Sequence, residues 1–93
     1  MSAPSGPVRL DSHHRTTLHK ILQHPGGHNV EWRDALSLLQ AVGSVREHGG
    51  GKIGVTIGSE TKVIAAPVHK DLDLQTVVEL RRMLTASGYT IEN

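Results

Sequence analysis

Apolar residues recur along this chain with two periods, helical towards both ends and alternating in the middle. Leu18, Ile21 and Leu22 stand at i, i+3 and i+4, the narrow stripe of a short amphipathic helix. That helix is predicted over 16–23, with Asp11 or Ser12 as its cap, and it is short enough to persist only when docked. His24-Pro25-Gly26-Gly27-His28 ends it in a turn, because proline and glycine break the helical pattern. A second helix is predicted over 30–42, with Asn29 as N-cap and Glu31 in the first turn, both favourable there. Its inward stripe is Trp32, Ala35 or Leu36, Leu39 and Val42, and Gly43 is its stop.

The period then drops to two. A weak strand is predicted over 44–47. The next, over 52–57, alternates cleanly and puts Ile53, Val55 and Ile57 on one face. Gly58-Ser59 suits a tight hairpin turn, and a strand over 61–66 returns with Val63 and Ile64 before Pro67 closes the sheet. After the loop 68–73, Asp71 or Asp73 caps a last helix whose inner stripe is Leu74, Val77, Leu80 or Arg81, and Leu84. Gly88 stops it. Strands joined by short turns predict an antiparallel sheet with helices over one face, an α+β fold. The organisation read from this is a disordered leader over 1–12, an N-terminal helix and turn over 13–28, and an α-β-β-β-α unit over 29–93.

Ninety-three residues without cysteine fit one domain with neither disulfides nor a cysteine zinc site. No apolar run approaches the roughly 20 residues that span a bilayer, and the chain start lacks a charged-then-apolar signal pattern. A cytoplasmic protein with no membrane partner is therefore expected. From residue 29 on, seven basic residues (Arg33, Arg46, Lys52, Lys62, Lys70, Arg81, Arg82) face eight acidic ones (Glu31, Asp34, Glu47, Glu60, Asp71, Asp73, Glu79, Glu92). Phosphate neutralisation dominates nucleic-acid affinity, so any such role must rest on a local patch.

From Trp32 to Tyr89 the chain resembles the HicA-type toxins of bacterial toxin–antitoxin systems. The likeness runs through Leu38-Leu39-Gln40-Ala41-Val42-Gly43, the step Gly49-Gly50-Gly51-Lys52, the hairpin, Pro67-Val68-His69 and Ser87-Gly88-Tyr89. His24-Pro25, His28-Asn29 and Trp32-Arg33 resemble a longer subgroup often placed with that family. The resemblance implies a double-stranded-RNA-binding-domain-like fold, here with an extra N-terminal helix. It also implies metal-free cleavage of messenger RNA and silencing by a HicB-like antitoxin. The family's catalytic histidine follows a Gly-Ser pair at the start of the second strand; the matching positions here read Gly49-Gly50-Gly51-Lys52, without it.

Metal-free RNA cleavage needs groups that take and return a proton near neutral pH, for which histidine is suited. His48 is a weak catalytic candidate. Three residues before Gly51 along an extended strand, it would lie about 10 Å away on the opposite face, unless the glycines reroute it. His69 matches the histidine of the family's post-sheet loop; beside Lys70 and a helix start, it is placed to dock a phosphate. Lys52 with Arg46 and Lys62 is read as a small basic strip across the sheet edge. The RNA-binding candidates are thus Arg46, Lys52, Lys62, His69 and Lys70.

A turn at Pro25-Gly26-Gly27 would let His19, His24 and His28 converge, but no carboxylate or cysteine stands at ligand spacing beside them; no metal and no cofactor is expected. Trp32 reads as a core anchor, and the three glycines as a bulged or tight turn. The function expected is that of a HicA-like RNA-binding protein, weak or inactive as a nuclease. The alternative is a protein–protein interaction module on the same fold. Candidate partners are RNA, a HicB-like antitoxin and a second copy of the chain.

Overall fold

The structure, a computed structural model, describes residues 10–23 and 30–90. The first helix, α1 (Ser12–Leu22), starts where the Asp11 carboxylate accepts the His14 backbone N–H at 2.9 Å, satisfying one of the donors a helix start leaves free. The leader expected over 1–12 therefore ends earlier than predicted: Leu10 is buried, Asp11 is the cap and Ser12 is helical. Residues 1–9 of that leader lie outside the described residues. Leu18, Ile21 and Leu22 face the core as predicted.

Helix α2 (Trp32–Val42) begins two residues later than expected, and Asn29 lies outside the described residues. Val30 and Glu31 instead enter a short antiparallel ladder with the segment before the last helix. Trp32 N–H donates to the Lys70 carbonyl at 2.8 Å, and Leu72 N–H to that of Val30 at 2.9 Å. Of the pair Ala35 or Leu36, Ala35 is the buried one, with Leu38, Leu39 and Val42. Trp32 is half-buried and packs on the core's edge.

The sheet is an antiparallel meander: β1 (Gly43–Gly49), β2 (Lys52–Ile57) and β3 (Glu60–Ala65), in that spatial order. β1 starts at Gly43 itself, so the residue expected only to stop α2 also opens the sheet. A Cβ there would overlap the Thr56 carbonyl. Gly49, Gly50 and Gly51 all have positive φ (79°, 62° and 74°), the backbone region only glycine enters freely. They make the β1–β2 turn and the bulge between Glu47 and Gly49.

Helix α3 (Leu74–Ala86) is capped by Asp73, whose carboxylate accepts the Thr76 N–H at 2.8 Å. Leu74, expected on its inner stripe, is 66% exposed, because it precedes the first turn that meets the core; Val77, Leu80, Met83 and Leu84 form the stripe. Arg81 faces α1 instead: its guanidinium donates to the carbonyls of Ile21 and Gln23 at 2.8 and 3.0 Å. Those are carbonyls a helix end leaves unpaired. The core lies between the helices and one face of the sheet. Leu18, Leu38, Leu39, Leu80 and Leu84 are wholly inaccessible, and each such burial contributes about 1.5–3 kcal/mol. No helix among the described residues is long and apolar enough to cross a membrane.

The cap at α3 has a pH signature. Hydrogen bonds from the Thr76 hydroxyl and backbone N–H hold the Asp73 carboxyl below the usual carboxylate range. A lowered folded-state pKa contributes stability above the unfolded value and loses it as pH falls through the folded one. Asp73→Ala is expected to lower the thermal midpoint at pH 7, and its difference from wild type should shrink steadily below about pH 4. An equal difference at pH 7 and pH 2.5 would rule out the carboxylate as its source.

Candidate nucleic-acid interface

Alternation along three strands sorts the sheet's side chains by face. Val45, Ile53, Val55, Ile57 and Ile64 point to the helices. Ser44, Arg46, His48, Lys52, Thr56, Thr61 and Val63 fall on the other, open face. The charges divide in the same way. Glu47 pairs with Ile53 and Glu60 with Ile57, so both strand carboxylates belong to the helix side. The open face keeps Arg46, Lys52 and the titratable His48, with no acid among its strand residues.

Geometry brings two of these groups, Arg46 and His48, together around one glycine, while Lys52 stands farther along the same face, beside the glycine turn as the register partner of Gly49. Arg46 is the register partner of Gly54. The imidazole of His48, aimed inward by the bulge, lies over the same residue: a Cβ on Gly54 would stand 2.5 Å from His48 Nε2. A depression of about 510 Å³ follows, lined by Ser44, Arg46, His48, Gly54, Thr56 and Thr61. The Thr56 and Thr61 hydroxyls are linked at 2.8 Å on its floor. One guanidinium, hydroxyls and an imidazole over a backbone without side chain can bind a phosphate and the sugar beside it.

The structure rearranges the predicted set. Lys62 leaves the strip, because it pairs with Val55 on the helix side and its ammonium reaches Glu79 of α3 at 3.3 Å. Lys70 lies 3.7 Å from Glu31, and its carbonyl is taken by the ladder to Trp32. His69 is exposed, but the helix start after it is occupied by the Asp73 carboxylate, whose charge opposes a phosphate there. The 10 Å separation expected for His48 assumed one extended strand; the chain reverses at Gly50-Gly51, so His48 faces β2 across the hairpin. Sequence reading left Gly54 and the two threonines out of the site. A glycine between Ile53 and Val55 in an alternating strand was the signal available.

Outside the sheet, Ser37 Oγ lies 2.8 Å from His14 Nε2, and His14 Nδ1 3.3 Å from Asp11 Oδ1. This row has the order of a hydrolytic triad, but Ser37 sits in mid-helix, where backbone N–H groups bond within α2 and none is left for an oxyanion. It ties α1 to α2, alongside His13 and Asp34 at 3.5 Å. Among the described residues His19 Nε2 is buried without a hydrogen-bond partner; His24 and His28 lie outside them, and no group of three or more metal-ligating side chains gathers within them. Set against protein-family models, curated proteins and solved structures, the chain has no significant match to any of them.

Proposed function

We propose that this chain is a HicA-like RNA-binding domain of a cytoplasmic toxin–antitoxin pair, silenced by a HicB-like partner, with the open sheet face as its RNA surface. The observation that carries the RNA reading is the segregation of charge: a molecule with balanced charge presents one sheet face whose ionisable strand residues are two cations and a histidine, with no acid. The α-β-β-β-α order after α1 supports the double-stranded-RNA-binding-domain-like assignment, and the resemblance between Trp32 and Tyr89 supports the family. Arg46 and Lys52 contact phosphates and His48 the adjoining sugar–phosphate edge. Cleavage is weak or absent, because Gly51 and Lys52 occupy the place of the family's catalytic histidine.

The test is titration of labelled structured RNA at two salt concentrations. Two phosphate contacts predict a shallow dependence, log K falling by about two units per decade of salt. Arg46→Ala with Lys52→Ala should weaken binding to all sequences alike and flatten that slope, while Lys62→Ala should leave it unchanged. No binding in low salt, or binding indifferent to the double substitution, overturns the reading. In the same samples, metal-free cleavage abolished by His48→Ala would overturn the assignment of weak catalysis. The balance of seven basic against eight acidic residues from 29 on favours a second reading, a protein-interaction module, which predicts a salt-insensitive protein partner instead.

A further inference from the structure

The two edges of the sheet are unlike. β1 is interrupted by the bulge between Glu47 and Gly49 and runs into three positive-φ glycines, features that discourage strand addition. β3 has none: its register with β2 is unbroken from Glu60 to Ala65. Ala66 N–H donates to the Gly51 carbonyl at 2.8 Å, which fixes the phase of the ladder. In an antiparallel pair, bonded and non-bonded positions alternate. Lys62 and Ile64 therefore turn their backbone groups to β2, whereas those of Thr61, Val63 and Ala65 point outward. These outward groups have no partner among the described residues. Val63, 47% exposed, is the large apolar side chain left uncovered on the strands.

We propose that β3 pairs antiparallel with β3 of a second copy of this chain, with Val63 beside Val63 on the two-fold axis. That register matches Thr61 with Ala65, both outward-bonding, so each pair exchanges its free N–H and C=O groups. It sets Lys62 beside Ile64 and Glu60 beside Ala66, so no like charges meet. Centring on Lys62 instead would oppose two ammonium groups, and centring on Thr61 or Ile64 would set Val63 against Ser59 of the turn or Thr61 against Pro67, which has no N–H; the first register alone bonds all three outward residues without opposing like charges. A depression of about 260 Å³ between β3 and the first turns of α3, lined by Ile64, Ala65, Asp73, Thr76 and Glu79 among others, leaves room beside the strand. The two open faces then lie on one side of a six-stranded sheet. Whatever the open face binds, the pairing stands on the edge geometry alone.

Sedimentation equilibrium of the full chain tests it. The interface is small, so the dimer should be weak and its fraction should rise across a concentration series. Val63→Lys, on an exposed position, places two ammonium groups across the axis and should weaken dimerisation at least about ten-fold. Amide exchange supplies the second measurement and needs no variant. Lys62 and Ile64 should be protected at every concentration, Thr61, Val63 and Ala65 only where dimer forms. A monomer at all concentrations overturns the proposal. So does a dimer that leaves those three amides open or ignores Val63→Lys.

Discussion

Gly43→Ala is expected to cost about 3 kcal/mol of stability, at the upper end of what forced overpacking does. The new methyl group would overlap the Thr56 carbonyl, and the Thr56 backbone has no rotamer by which to yield. Relief requires parting β1 from β2 at the Gly43–Ile57 pair, where α2 also ends. Urea unfolding of the variant checks it, and a midpoint within error of wild type would refute the packing described. Gly54→Ala is the informative contrast. Its methyl group meets the end of the His48 ring rather than backbone, so the imidazole swings away at little cost. Stability should change by less than about 1 kcal/mol, while any RNA affinity owed to His48 should fall.

Leu80→Ala is the second large effect, expected at about 2–5 kcal/mol. Leu80 is wholly inaccessible and sits on the buried stripe of α3 between Val77 and Leu84, and truncation leaves a cavity in the core. The neighbouring Arg81→Ala should act differently. It removes donors from the Ile21 and Gln23 carbonyls at the end of α1, so amide protection should fall in α1 more than in the sheet. Equal loss of protection everywhere would show that α1 does not depend on this contact.

Periodicity made most of the architecture legible. Alternation of Ile53, Val55 and Ile57 and the helical spacing of Leu18, Ile21 and Leu22 each sort a face by burial alone, a short-range property. The open choices and the errors fell where a long-range contact decides. Leu80 and Arg81 are adjacent on one helix, and only the position of α1 determines which meets core and which meets carbonyls. The start of α2 shifted because Val30 and Glu31 are held by residues some forty positions away. The site was legible in its residue types but not in its grouping. Lys62 and Lys52 read alike as strand lysines, and registration against Val55 and Ala65 sends one to each face.

The ladder joining residues 30–32 to 70–72 bears on how the chain reaches this state. α2 and the meander contact mostly sequence neighbours, joined by the short turns at Gly50-Gly51 and Gly58-Ser59, and local contacts of this kind form fast. The ladder and the Arg81 bonds to α1 span most of the described chain. Because the entropy of closing a loop grows only as the logarithm of its length, these are late but inexpensive steps. The folding nucleus is then expected in α2 and the hairpins, with the two helix starts brought side by side in a final closure that seals Val30 and Leu72 into the core; substitutions at Val30 should accordingly speed unfolding more than they slow folding.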